Sequence, residues 1–156
     1  MGLGKTFLLT GFWLGVGVLL YFFFLRYEAP PVQVVGADHV ELSRARDGHF
    51  HIDGAIQGQP VSFLIDTGAS TVSVSSELAR RLGLSCQIES TFSTANGMVE
   101  GCTGRASDLE FGPFRLEHVT VAILPNLASD ALLGMNVLSR VRLEQTSDKL
   151  VVSRPD

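Results

Sequence analysis

Residues 61–70 read VSFLIDTGAS. The apolar residues of the first half are typical of a buried β-strand, and Asp66 follows them without a break. Gly68 allows the backbone to turn sharply after the strand, and Ala69 leaves space beside the acid. An isolated D-T-G would only cap a turn. Here we expect the carboxylate of Asp66 to lie at the mouth of a strand, where it is available for chemistry.

A second motif lies downstream, where residues 131–138 read ALLGMNVL. The two motifs, in this order and with a hairpin between them, resemble the signature of retropepsin-like aspartic proteases. Alanine at position 69 is similar to the retropepsin branch rather than to the pepsin branch. The resemblance covers about residues 40–153 and implies an all-β fold, a closed β-barrel with one or two short helices. It also implies a catalytic Asp66, an active-site loop of Thr67, Gly68, Ala69 and Ser70, and a supporting segment of Leu132, Leu133 and Gly134 that passes beneath this loop into a short helix.

Several further elements are predicted from local patterns. Ser75 or Ser76 can cap a helix that runs through Leu82 and ends at Gly83. Residues 87–106 are interpreted as a hairpin centred on Asn96-Gly97, which is a strong turn signal. In the related family the equivalent hairpin is the flap that closes over a bound peptide, and a plain structural hairpin is the alternative. The predicted flap residues are Thr94, Ala95, Asn96, Gly97 and Met98.

The N-terminal part of the chain is strongly apolar. Residues 7–25 form an uncharged run of 19 residues, which as a helix rising about 1.5 Å per residue spans a hydrocarbon core of roughly 30 Å. A secretory signal peptide is the alternative, but the following residues lack a small-x-small cleavage site. We therefore predict a tail at 1–6, a transmembrane anchor at 7–25, a linker at 26–38 and the protease domain at 39–156. Within the anchor, Gly11 and Gly15 form a G-x-x-x-G pattern, which is either coincidence or a helix contact.

Charge gives the orientation and limits the partners. Lys5 precedes the anchor, whereas Arg26 after it is offset by Glu28, which favours a cytoplasmic N-terminus. We therefore expect a single-pass protein of the inner (cytoplasmic) membrane whose domain faces the periplasm or another extracytoplasmic space. Without Lys5 the chain has 11 basic and 16 acidic residues and no basic run, so nucleic acid and anionic lipid are not expected as partners.

Catalysis of peptide hydrolysis by carboxyl groups needs two of them, one ionised and one protonated, a few ångströms apart. Asp47-Gly48 and Asp53-Gly54 lack the apolar run and the middle Thr or Ser, so Asp66 has no second copy in the chain. The sequence therefore predicts a homodimer in which two Asp66 carboxyls activate water to cleave a peptide bond of a protein substrate, without a cofactor or a metal. The histidines are expected on solvated faces and not at a metal: His39, His49, His51 and His118. Two alternatives remain: a non-catalytic domain that binds an extended peptide, and a domain that only mediates assembly at the membrane.

The two cysteines permit one further prediction. If the hairpin turns at Asn96-Gly97, Cys102 faces Thr91 and Cys86 faces Ser107, which places the sulfurs on the order of 16 Å apart at about 3.3 Å per residue. A disulfide tolerates a Cα separation of at most about 7 Å. We therefore expect no bond between Cys86 and Cys102.

Overall fold

The computed structural model describes residues 3–27, 33–125, 127 and 129–155, with side chains from residue 9 to 23 in the first of these ranges. It divides the chain into two compact units, residues 1–30 and 31–156. Residues 1–2 of the predicted tail and 28–32 of the predicted linker lie outside the described residues. The first unit contains helix α1, Leu3–Tyr27. In the described part of the chain, no helix has the length and apolar character that crossing a membrane requires.

The second unit consists mostly of β-strands. In chain order its elements are β1 (Gln33–Val35), β2 (His39–Ser43), β3 (His51–Ile56), β4 (Gln59–Ile65), β5 (Val72–Ser75), α2 (Ser76–Leu82), β6 (Ile88–Thr94), β7 (Gly97–Phe111), β8 (Phe114–Leu124), β9 (Ala131–Leu133), α3 (Met135–Leu138), β10 (Arg142–Gln145) and β11 (Lys149–Ser153).

The strands form two sheets. The smaller sheet has the order β1-β2-β11-β10, and the larger one has the order β3-β4-β9-β5-β8-β7-β6. Most neighbours are antiparallel, but β9 runs parallel to β4, and β5 runs parallel to β8. β3 also pairs with β7, where Gly54 faces Phe111. Gly54 is required there, because a Cβ atom would collide with the carbonyl oxygen of Glu110.

The core contains the apolar residues that alternate along these strands. Phe63 of β4 and Phe111 of β7 are its largest fully buried side chains. Helix α2 covers one side of this core with Leu78, Ala79 and Leu82, which are all buried. Burial of one such side chain stabilises the fold by about 1.5–3 kcal/mol relative to leaving it exposed. This gain determines which face of each strand packs against the core.

The predicted ends of α2 are confirmed. Ser75 is the N-cap residue, and its side chain accepts a hydrogen bond from the backbone N–H of Leu78. Gly83 ends the helix with φ of 69°, in the left-handed region that favours glycine. Strands β10 and β11 pair with each other in an antiparallel arrangement.

The predicted linker at 26–38 is wrong at its C-terminal end. Gln33–Val35 forms β1, which pairs with β2 in an antiparallel arrangement. Val34 and Val35 are both more than half exposed because β1 is an edge strand. The segment Gln33–Val35 gains backbone hydrogen bonds by pairing with β2, so the folded unit begins before residue 39.

The register predicted for the hairpin of β6 and β7 is wrong. Thr94 faces Gly97, and Glu89 faces Cys102, so the turn residues are Ala95 and Asn96. Asn96 does not have a positive φ, whereas the type I′ turn expected for Asn-Gly requires one. Gly97 instead has φ of 106° at the end of the turn, and the side chain of Thr94 hydrogen-bonds the backbone of both Asn96 and Gly97.

The absence of a disulfide was also predicted wrongly, because Cys86 and Cys102 are bonded, with their Cα atoms 5.5 Å apart. The chain before β6 does not continue along the ladder but crosses β7. The backbone N–H of Gln87 donates to the carbonyl of Thr103 at 2.8 Å, and a Cβ atom on Gly104 would lie 2.6 Å from the carbonyl oxygen of Ser85. This crossing brings Cys86 to Cys102.

Candidate active site

Asp66 lies directly after the end of β4, as the sequence predicts. Its backbone N–H donates to the carbonyl of Leu133 at 3.1 Å, which ties the end of β4 to the end of β9. Its carboxylate oxygen Oδ1 accepts a hydrogen bond from the N–H of Gly68 at 2.8 Å. Asp66 is half-buried, while Thr67 and Gly68 are exposed. The loop therefore holds one carboxylate in a fixed position on an open surface.

The second motif lies beneath this loop. Leu132 and Leu133 of β9 pair with β4, and β9 also pairs with β5 on its other side. The N–H groups of Met135 and Asn136, at the start of α3, donate to the carbonyls of Ala69 and Ser70 at 2.8 and 3.0 Å. These bonds fix the loop from below.

Gly134 lies against the backbone of Thr71, which directly follows the loop. A Cβ atom at this position would collide with the backbone carbonyl of Thr71, so no larger residue fits without displacing the chain. The structure thus brings the predicted loop residues and the predicted supporting residues together.

Asn136 also supports the loop, a role that was not predicted from the sequence. Its Oδ1 accepts a hydrogen bond from the N–H of Val72 at 2.8 Å, and its Nδ2 donates to the carbonyl of Thr120 at 2.9 Å. Because Val72 is fully buried, its N–H has no access to water as an alternative partner. A signal was present in the sequence, since Asn136 is the one residue with a polar side chain in the segment of residues 131–138.

The predicted flap residues lie together at the tip of the β6–β7 hairpin. Thr94 holds the turn through the two backbone hydrogen bonds described above, and Met98 is 69% exposed. Among the hydrogen bonds of the described residues, none joins this tip to the loop of Asp66. That the flap residues close over a substrate therefore stays a prediction.

Two of the histidines lie on or next to β3, where His51 faces Leu64 of β4. His51 Nε2 lies 2.7 Å from Asp47 Oδ2, and the backbone N–H of His49 donates to the other oxygen of Asp47. These contacts, the backbone hydrogen bond first, lower the pKa of Asp47. The described residues contain no group of three or more His, Cys, Asp or Glu side chains arranged to hold a metal ion.

Comparison with known proteins agrees with this geometry. Residues 52–140 match the family model described as "gag-polyprotein putative aspartyl protease". The matched segment includes both the loop of Asp66 and the supporting segment. The chain belongs to the retropepsin-like aspartic proteases.

Two solved structures have a similar fold. A retropepsin-like aspartic protease from Rickettsia conorii superposes with a TM-score of 0.64 at 27% identity, over 81% of this chain and 96% of that one. The EIAV protease in complex with the inhibitor HBY-793 superposes with a TM-score of 0.50 at 18% identity, over 57% and 84% of the two chains, and shows a likeness of fold. The retropepsin-like fold is therefore confirmed.

Two curated relatives extend the comparison. An uncharacterized protein from the cobV 5′ region of a Sinorhizobium species is 31% identical over 121 residues, which is 74% of this chain and 52% of the relative. An uncharacterized protein, RP867, from Rickettsia prowazekii is 36% identical over 104 residues, which is 65% and 45% of the two chains. This retropepsin-like chain thus spans about half the length of the curated relatives it matches.

Proposed function

We propose that the protein is a membrane-anchored aspartic endopeptidase that hydrolyses a peptide bond of a protein substrate. The observation that carries the proposal is the loop of Asp66, with one carboxylate held on an open surface and fixed from below by β9 and α3. Two carboxyls a few ångströms apart share a proton and titrate as a unit. The ionised carboxyl activates the attacking water, and the protonated one polarises the carbonyl and later supplies a proton to the leaving amine.

The second carboxyl is proposed to come from a second copy of the chain. The exposure of Thr67 and Gly68 beside Asp66 supports this arrangement, because a partner can approach the loop directly. In the dimer, Thr67 would hydrogen-bond across the two-fold axis, as its counterpart does in the family. The site is then complete only when two chains associate.

A closed barrel and a location in the inner membrane are part of the same proposal. The pairing of β3 with β7 supports the closed barrel. Residues 7–25 are proposed to anchor the chain in the inner membrane, where Gly11 and Gly15 leave open space for a second helix. The disulfide of Cys86 and Cys102 supports a periplasmic domain, because disulfides persist in oxidising compartments and are rare in the cytosol. Tethering in one plane raises the effective concentration of the second chain.

A second candidate function is binding of an extended peptide without cleavage. Strand β6 is the outer strand of the larger sheet, so its free edge can accept an added strand. In that case the hairpin and the loop would bind a peptide that stays intact.

The test compares cleavage of a peptide library by the unit of residues 31–156 in three forms. This boundary keeps β1, which a start at residue 40 would remove. We expect Asp66→Asn to lower the cleavage rate at least about 100-fold, because it removes the acid–base group while keeping its shape. Asp53→Asn is the matched control, since Asp53 is an exposed acid of β3, and it should cleave normally.

Three outcomes of this test distinguish cleavage of a peptide from binding without cleavage. Loss of cleavage in the Asp66→Asn form alone supports the endopeptidase. Peptide that is bound and left intact by the unchanged protein supports the binding domain. Cleavage at an undiminished rate by the Asp66→Asn form contradicts the proposed chemistry.

A further inference from the structure

A cavity of about 280 Å³ lies between the outer face of β7–β8 and helix α3. It is distinct from the exposed face of the Asp66 loop, although Thr71, which follows that loop, lines one side of it. Arg105 comes from β7, His118 from β8, and Arg140 from the turn after α3. No acidic side chain lines the cavity among the described residues.

The two arginines of this cavity differ from most other cations of the domain. In the described part of the chain, neither Arg105 nor Arg140 forms an ion pair. By contrast, other cations have carboxylate partners in an acidic chain: Arg81, Arg115, Arg142, Lys149 and Arg154. Two exposed guanidinium groups without carboxylate partners therefore line the same cavity.

The backbone at His118 and the hydrogen bonds around the cavity show which donors are available there. His118 has φ of 53°, which is uncommon for a residue with a side chain and occurs where the surrounding structure holds it. Arg105 Nε donates to the carbonyl of His118 at 3.3 Å, so the remaining donors of this guanidinium are available. The amide of Asn136, which also lines the cavity, is already satisfied by Val72 and Thr120. The guanidinium donors of Arg105 and Arg140, together with the hydroxyls of Thr71 and Thr120, therefore remain available to a ligand.

We propose that this cavity binds a phosphate group, held by Arg105, His118 and Arg140. Guanidinium groups match the geometry of phosphate through paired N–H donors, and charge-assisted hydrogen bonds of this kind are the strong ones. The donors come from three separate elements, so they can contact a phosphate from more than one side. The binding is reversible and involves no bond to the protein. The phosphate is either free or part of a lipid headgroup.

The test is isothermal titration calorimetry on the full-length chain in a nonionic detergent. One arm uses inorganic phosphate, and the other uses glycerophosphoglycerol, the deacylated headgroup of phosphatidylglycerol. We expect Arg140→Gln to weaken binding at least about tenfold, because a charge-assisted contact is lost. Arg140 makes no side-chain hydrogen bond in the described residues, so the fold should persist, and thermal unfolding without phosphate checks this. Arg80→Gln is the matched control, since Arg80 lies on α2 away from the cavity.

The outcomes are distinct and do not involve cleavage of peptides. Binding of inorganic phosphate alone identifies free phosphate as the ligand, and binding of glycerophosphoglycerol identifies the lipid headgroup. Binding of neither compound by the unchanged protein overturns the proposal. An equal loss in the Arg80→Gln and Arg140→Gln forms also overturns it, because binding would then follow net charge and not this cavity.

Discussion

The disulfide between Cys86 and Cys102 is expected to contribute a measurable part of the stability of the domain. Its two residues are separated by 16 positions in the sequence. Closing a loop of about 15 residues lowers the entropy of the unfolded chain enough to stabilise the folded state by about 3 kcal/mol at 25 °C. We therefore expect the double variant Cys86→Ala/Cys102→Ala to lose about this amount. Alanine is chosen because Cys102 is buried, and serine would add an unpaired hydroxyl there.

The assay is urea unfolding of residues 31–156 at one protein concentration. The unchanged protein treated with a reductant is the control, because it keeps both sulfur atoms but loses the covalent bond. Both forms should show a similar fall in the free energy of unfolding. The reasoning is refuted if the double variant is as stable as the oxidised protein. It is equally refuted if labelling of the denatured, unreduced protein finds two free thiols per chain.

Two other predictions concern single side chains. Asn136→Ala should lower the free energy of unfolding, measured in urea, by about 1–3 kcal/mol, because the buried N–H of Val72 loses its partner. Ser139→Ala is the control and should leave this free energy unchanged, because the Ser139 side chain makes no hydrogen bond in the described residues. The hydrogen bond from the His49 N–H holds the pKa of Asp47 below its ordinary value of 3.8, so its contribution to stability is present above pH 3.8 and is lost as the pH falls through the folded value. Acidification below pH 3.8 should therefore destabilise the unchanged protein more than the Asp47→Asn form, and equal losses in the two would contradict this.

Much of the fold follows from short-range patterns. The apolar run before Asp66 predicted β4, and Ser75 and Gly83 predicted both ends of α2, because a hydroxyl cap and a left-handed glycine act within a few residues. The position of Gly134 beneath the loop was implied by a resemblance between motifs, and the contact with Thr71 confirms it.

The features that were not predicted from the sequence depend on contacts between distant residues. Asn-Gly is a strong turn signal, yet the side chain of Thr94 stabilises a turn one residue earlier, and this moves Cys102 opposite Glu89. The crossing of β7 by the chain at Ser85 cannot be read from a hairpin pattern at all. The cationic cavity was missed for the same reason, since its residues are far apart in the sequence and form no basic run.

The most direct test of the central proposal, that two Asp66 carboxyls from two chains form one site, is a mixing experiment. Unchanged and Asp66→Asn chains are mixed in varied proportion at constant total concentration, allowed to exchange partners, and assayed for peptide cleavage. If the site is shared, only pairs of unchanged chains are active, so random pairing in an equal mixture leaves roughly a quarter of the activity. If each chain acts alone, the equal mixture keeps roughly half, and activity falls linearly with the fraction of Asp66→Asn chains. A quadratic fall supports the shared site, and a linear fall contradicts it.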